Sequence, residues 1–405
     1  MKESIITVKG LSKQYQAANA SSANTMPSPA LSSGSSITSD LSKTDASATC
    51  GIEGPAVKST VSEPMNVSTD GVQNVDGVNA TLTTDTLTPV AALRSSGVDN
   101  VSFEIKKGDV VAIIGESGSG KSTLLKCIYG LLEVDAGEVL FKGNRVLGPH
   151  EQLIPGHKEM KMVTQDFSLN IYAKVYDNIA SMLSNTDIRS KHEKTMEIMA
   201  HLRIDHLKDK KITQLSGGEQ QRVAIAKALV SDTSVLLMDE PFSQVDALLK
   251  NQLRADIKRI AAATGVTVVM VSHDPADGLF LADDLLIVKN GKLIQQGKPS
   301  DIYQHPDHIY TARILGNANV LTAEHGKMLG LDVKTDNAVF YPEWVKLNDN
   351  GEGLGFEVKD VYFKGFYEEL LLESEGVFIR AIQMNIGQHK KNDQVQVNID
   401  RFLNL

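Results

Sequence analysis

Hydrophobic and polar positions alternate along Val98-Asp99-Asn100-Val101-Ser102-Phe103-Glu104-Ile105, which predicts a strand with one buried face. The texture then changes: Val110-Val111-Ala112-Ile113-Ile114 is continuously apolar, as a strand buried on both faces of a parallel sheet is. The same reading fits Val235-Leu236-Leu237-Met238, which delivers Asp239 and Glu240 at its carboxyl end, and Val266-Thr267-Val268-Val269-Met270-Val271, which ends in Ser272-His273-Asp274. Residues 5–15, 137–141 and 161–165 read as further strands. Helical spacing follows at Leu124–Ile128, across 177–207, and from Val223 to Val230. Beyond residue 316, short β patterns at 338–341, 355–361, 369–373, 377–381 and 395–399 are separated by Gly, Asn and Asp turns, which predicts a small β-barrel. Gly351-Glu352-Gly353-Leu354-Gly355 reads as a turn, since no helical pattern follows it.

One stretch belongs to neither pattern. Residues 16–90 are dominated by Ser, Thr, Ala, Asn, Asp, Gly and Pro and contain no Phe, Tyr or Trp. Such a segment buries too little apolar surface to offset its ordering entropy, so a disordered insertion is expected there.

The 405 residues allow two or three domains at roughly 100–200 residues each. A formal net charge of −9 argues against a general nucleic-acid or anionic-membrane surface. The two cysteines, Cys50 and Cys127, lack metal-ligand spacing and are too few for a disulfide framework, which points to a reducing compartment. No apolar run approaches the roughly 20 residues of a membrane span, so a soluble, cytoplasmic protein is expected.

Against that frame the chemistry is concentrated. Gly115-Glu116-Ser117-Gly118-Ser119-Gly120-Lys121-Ser122-Thr123 lies between an apolar strand and a helix. Its glycines let consecutive backbone N–H groups and the helix start converge on one small volume, where phosphates can sit. Lys121 adds a charge near the β- and γ-phosphates, and the Ser122 hydroxyl can ligate Mg²⁺. Asp239 and Glu240, adjacent on a strand, are expected to point to opposite sides, one toward a metal and one toward an attacking water. His273 falls at the carboxyl edge of the same sheet, where open α/β sheets bind ligands. A second anion-seeking helix start occurs at Leu215-Ser216-Gly217-Gly218-Glu219-Gln220, although one triphosphate needs only one phosphate loop.

Read in order, the phosphate loop, Gln165, the Leu-Ser-Gly-Gly-Glu-Gln string, Asp239-Glu240, Ser243-Gln244-Val245-Asp246 and His273 resemble the nucleotide-binding subunit of an ATP-binding-cassette (ABC) transporter. The resemblance covers 1–15 and 95–315. It implies an α/β P-loop NTPase (RecA-like) core with a helical subdomain, residues 1–315, followed over 316–405 by a small all-β, OB-like regulatory domain of the TOBE kind. The tail resembles that of importer ATPases for polyamines, iron(III) or oxyanions, on Phe340-Tyr341-Pro342-Glu343 and the strand spacing. The implied substrate is ATP with Mg²⁺. Residues 115–123 would cradle the phosphates; Ser122, Gln165 and Asp239 would hold the metal; Glu240 would be the general base; His273 would contact the γ-phosphate; and Tyr15 would stack on adenine. Ser216, Gly217 and Gly218 would act on the nucleotide of a second copy in a head-to-tail dimer. Implied partners are integral membrane permease subunits, met by the region around Phe167, Ile171, Tyr172 and Tyr176, and indirectly a periplasmic or surface solute-binding protein, with no nucleic acid. The implied location is peripheral, on the cytoplasmic face of the inner membrane. Gln244-Val245 departs from the Ala-Leu usual in relatives. An exporter ATPase and a non-transport ABC ATPase are the alternative readings.

Deleting residues 18–88 is expected to leave ATP hydrolysis within a few-fold of the parent chain. A large loss in a steady-state assay would mean that the segment buttresses Tyr15.

Overall fold

The computed structural model describes residues 2–15, 96–348 and 353–405. The insertion expected at 16–90 lies outside them. Strands β1 (Ser4–Gln14) and β2 (Ser96–Lys106) pair antiparallel. The chain then leaves that sheet as β3 (Val110–Ile114), enters α1 (Lys121–Tyr129), and returns to the free side of β1 as β4 (Ala136–Phe141) and β5 (Asn144–Arg145). A second sheet is built from β3 together with β6 (Met160–Val163), β7 (Val235–Asp239), β8 (Thr267–Ser272), β9 (Asp284–Lys289) and β10 (Lys292–Gly297). Its order is β10-β9-β3-β8-β7-β6, parallel throughout except for the β9–β10 hairpin.

Burial on both faces explains the continuous apolar runs. Val110, Ala112 and Ile114 of β3 join a core shared with helices α2 (Val175–Ala180), α3 (Ile188–His201), α4 (Gly217–Leu229) and α5 (Ala247–Thr264). Val111 and Ile113 point the other way, into a core formed with β1, β2, β4 and the Leu124, Leu125 and Ile128 face of α1. Strands β7 and β8 split their side chains between the same two cores. Cys127 is a packing residue, 2% exposed, with its thiol pushed up to about 12 by burial.

Register fixes the working edge. Ile114 pairs with Ser272 and Asp239 with Val271, so β3, β7 and β8 end level with one another. The loops that leave them therefore start side by side.

After α6 (Pro275–Leu281) and the hairpin, α7 (Pro299–Gln304) and α8 (Ile309–Gly316) lead to a β-rich region. It contains β11 (Asn319–Thr322), α9 (Ala323–Met328), β12 (Asn337–Phe340), β13 (Val345–Asn348), β14 (Leu354–Phe363), β15 (Glu368–Ser374), β16 (Val377–Gln383), β17 (Gln394–Ile399) and β18 (Leu403–Asn404). A five-stranded antiparallel sheet, β13-β17-β14-β15-β16, curls until its outer strands β13 and β16 approach each other, without ladder hydrogen bonds between them. Phe356, Val358, Leu370, Leu372, Ile379 and Val397 fill it. Strands β11, β12 and β18 form a separate three-stranded sheet.

Three local expectations are corrected. The helical pattern over 177–207 is interrupted: α3 begins afresh at Ile188, where the Asp187 carboxylate accepts a hydrogen bond from Ser190 N–H and caps the helix. Strand β6 stops at Val163, so Gln165 sits on the following turn. Helix α9 interrupts the all-β tail, capped by the Thr322 hydroxyl on His325 N–H.

Candidate active site

The phosphate loop begins where β3 ends. A Cβ on Gly115 would lie 2.2 Å from the Val288 carbonyl oxygen, and one on Gly120 would lie 1.9 Å from the Gly97 carbonyl oxygen. Both positions exclude a side chain for lack of room, and Gly120 also has a φ of +96° as it starts α1. Lys121 is folded back into this turn, 5% exposed, with Nζ donating to the carbonyls of Gly115 at 2.9 Å and Glu116 at 2.7 Å. Burial lowers the pKa of its ammonium, and the carboxylates of Glu240, Asp239 and Glu116 oppose that shift.

Next to Lys121, the Ser122 hydroxyl donates to Asp239 Oδ1 at 2.8 Å, joining the start of α1 to the end of β7. Ser117, Gly118, Gly120, Lys121, Ser122 and Thr123 line a cavity of about 250 Å³ with Tyr15, Gly97 and Glu240. The Tyr15 hydroxyl is 3.3 Å from Thr123 Oγ1, and the side chain is 40% exposed. An aromatic ring, a phosphate loop and a carboxylate thus share one small volume.

Glu240 faces this cavity for a different reason from the strand alternation expected. Strand β7 ends at Asp239, and Glu240 takes a left-handed conformation with φ +47°. Such a conformation costs a residue with a Cβ about 1–3 kcal/mol. It turns the carboxylate toward β8, where Oε2 lies 3.2 Å from His273 Nδ1. Glu240 and His273 also line a neighbouring cavity of about 310 Å³ with Phe242, Ser243, Val245 and Lys250.

Other expected residues are not brought into the phosphate-loop cavity. Gln165 is exposed at the same sheet edge but does not line the cavity. Ser216 caps α4 and shares a reciprocal cap with Glu219, whose carboxylate accepts Ser216 N–H at 2.8 Å. Ser216 and Gly218 border a different cavity, of about 270 Å³, with Ile204, Leu207 and Leu249. Gly217 packs against the Gln244 carbonyl, where a Cβ would lie at 2.7 Å. Of the residues expected to meet a permease, Phe167 is buried and Tyr176 bonds His192, leaving Ile171 and Tyr172 exposed. A larger cleft of about 970 Å³, lined by Lys2, Lys106, Asp109, Asp283 and Lys298 among others, lies at the opposite end of the parallel sheet, away from these groups.

A partly buried ionic network behind His273 was not anticipated. Lys250 and Arg254, one turn apart on α5, reach across to α6. Lys250 Nζ lies 2.5 Å from Asp274 Oδ2 and 3.3 Å from Asp277 Oδ1, and Arg254 pairs with Asp277. The Ser272 hydroxyl donates to Asp277 at 2.5 Å, so the residues on both sides of His273 are tied down. Basic residues at i and i+4 facing acids at i and i+3 are the sequence signal for this contact.

Residues 98–243 match the ABC transporter family. The spermidine/putrescine import ATP-binding protein PotA of Desulfitobacterium hafniense is 31% identical over 295 residues, covering 68% of this chain and 84% of that protein. The chain belongs to the ABC transporter family. This ABC protein is also 38% identical to the glucose import ATP-binding protein GlcV of Saccharolobus solfataricus, over 62% of its own length and 75% of the relative's. It is 38% identical to the Fe(3+) ions import ATP-binding protein FbpC of Fusobacterium nucleatum, over 55% and 60%. It is an ATP-binding, ATP-hydrolysing, energy-coupling subunit of the importer type.

Asp274 supplies a pH test of the network. Burial pushes its carboxyl up, but hydrogen bonds from Lys250 and Ala276 N–H hold it below the usual range on balance. A depressed carboxyl contributes stability above its unfolded-state pKa and loses that contribution as pH falls through the folded one. Lys250→Met is therefore expected to destabilise the fold at neutral pH, with the deficit shrinking as pH drops below about 4. Urea unfolding of both proteins from pH 7 to pH 3 measures this. A deficit independent of pH would mean that Lys250 acts through packing alone.

Proposed function

We propose that the cavity between Tyr15, the phosphate loop and Glu240 binds and hydrolyses ATP. The observation that carries the reading is the Ser122–Asp239 hydrogen bond, which sets an oxygen-donor pair beside Lys121 and within reach of Glu240. Residues 115–123 cradle the phosphates with their amides, and Lys121 leaves its loop carbonyls to meet them. Tyr15 stacks on the base, a contact worth about 1–3 kcal/mol.

Among the described residues no three His, Cys, Asp or Glu side chains form a metal cage. Mg²⁺ does not require one, because it is usually held by one or two carboxylates plus substrate phosphates and water. Ser122 and Asp239 are hard oxygen donors already facing each other, and they would hold the ion with Gln165 completing the set. Bound there, Mg²⁺ would neutralise charge on the transferred phosphoryl group. Glu240 takes a proton from the attacking water as its oxygen bonds to the γ-phosphorus and the bridging oxygen leaves on ADP. His273 orients that carboxylate and contacts the γ-phosphate.

The second helix start, opened by the Leu-Ser-Gly-Gly-Glu-Gln signature string at 215–220, stands apart from this cavity, with Ser216 exposed. This supports a head-to-tail dimer in which Ser216, Gly217 and Gly218 complete the site of a second copy. Exposed Ile171 and Tyr172 are the surface for a permease subunit on the cytoplasmic face of the membrane. No helix among the described residues is long and apolar enough to cross a membrane, which supports a peripheral place. Residues 1–315 act as the nucleotide-binding domain and 316–405 as an OB-like regulatory domain. The relatives that import spermidine/putrescine and Fe(3+) ions support a small solute of the polyamine or iron(III) kind as cargo; an oxyanion, and delivery by a solute-binding protein, rest on the resemblance of the tail alone, and the acidic net charge speaks against nucleic acid.

Glu240→Gln is expected to cut hydrolysis roughly a hundred- to ten-thousand-fold while ATP affinity stays within a few-fold. Tagged and purified from its native membranes with ATP and Mg²⁺, the same variant is expected to bring integral membrane proteins with it. Retained turnover would remove Glu240 as the base, and recovery of soluble partners alone would overturn the importer assignment.

A further inference from the structure

Helix α8 carries a side chain that reaches the phosphate loop from behind. Tyr310 is 6% exposed, and the Lys289 ammonium sits 4.6 Å from its ring centroid. Its hydroxyl accepts a hydrogen bond from the backbone N–H of Glu116 at 3.1 Å and donates to the Val288 carbonyl at 3.4 Å. That carbonyl is also the one that leaves no room for a side chain at Gly115. One hydroxyl therefore ties the first turn of the loop to the end of β9.

The peptide unit it holds is also held by Lys121. The Gly115 carbonyl and the Glu116 N–H are the two ends of a single peptide plane, and Lys121 Nζ donates to the carbonyl end at 2.9 Å. To meet a phosphate, Lys121 has to give up that carbonyl. Glycine at 115 offers little conformational resistance to rotation of the plane. Once the lysine turns away, the bond to Tyr310 at the N–H end is what opposes that rotation.

We propose that Tyr310 is a positioning residue for ATP binding. Its hydroxyl fixes the Gly115–Glu116 peptide, so that the following loop amides stay aimed at one point while Lys121 exchanges loop carbonyls for phosphate oxygens. The inference rests on the reading of residues 115–123 as the nucleotide site. Tyr310 touches neither the reacting phosphorus nor the attacking water. Its contribution is to lower the ordering cost that the nucleotide otherwise meets on binding. A loss should therefore appear in affinity and not in the chemical step.

Tyr310→Phe tests this, because it keeps the ring, its packing and the Lys289 contact and removes only the hydroxyl. Steady-state ATP hydrolysis and equilibrium binding of a fluorescent ADP analogue are measured beside thermal unfolding. The KM for ATP and the Kd for the analogue are expected to rise about three- to tenfold, the scale of one hydrogen bond, with kcat within twofold. The unfolding midpoint should fall by no more than a few degrees. Unchanged KM and Kd would overturn the proposal, as would a loss confined to kcat. A lowered midpoint with affinity intact would make the hydroxyl merely structural and overturn it equally. Parent protein that neither binds nor hydrolyses ATP would instead sink the nucleotide-site reading, independently of Tyr310.

Discussion

Burial of β3 on both faces is the constraint from which the site follows. Because Val110, Ala112 and Ile114 are committed to one core and Val111 and Ile113 to the other, the strand cannot slip by a residue without reversing every side chain. Its parallel neighbours are pinned in the same way, and the paired ends at Ile114–Ser272 and Asp239–Val271 come out level. Groups from three loops then meet at one edge, as crevices at the carboxyl ends of open α/β sheets do. The chemistry is held by the cores beneath it.

The groups of this edge satisfy one another. Lys121 occupies the carbonyls of Gly115 and Glu116, Ser122 occupies Asp239, and Glu240 lies against His273. The contacts of Lys121 keep a buried ammonium and its loop carbonyls paired, which matters because an unpaired buried group costs about 1–3 kcal/mol. They are also contacts a triphosphate can replace. Left-handed backbone at Glu240, and at Phe167 and Ser168 just beyond Gln165, places local strain on two of the loops that leave this edge.

Much of this was legible in the residues. Two-sided strands announce themselves as unbroken apolar runs, and the phosphate loop and the signature string carry fixed spacings of glycine, lysine and serine. What escaped was set by tertiary contact. The turn of Glu240 out of its strand has no marker in the Asp239-Glu240-Pro241 sequence, so alternation alone does not account for where its carboxylate goes. Tyr310 lies in a helix nearly two hundred positions from Glu116, and nothing in its local pattern points to the loop. The interruption at 181–187 was readable from Asp187 as a helix cap, and the clamp on α5 from the spacing of Lys250 and Arg254. In the tail, strand positions were legible but the sheet's incomplete closure was not, because closure depends on how β13 and β16 meet across the whole curl.

That the phosphate loop and the signature helix start belong to separate cavities of one chain leaves the composite site as the central claim. Light scattering of Glu240→Gln protein with and without ATP addresses it most directly, repeated with Ser216→Arg added. Monomers without nucleotide and dimers with it are expected, while the double variant should bind ATP and remain monomeric. Dimers that form regardless of ATP, or that persist with Arg at position 216, would contradict a site completed by the signature of a second copy.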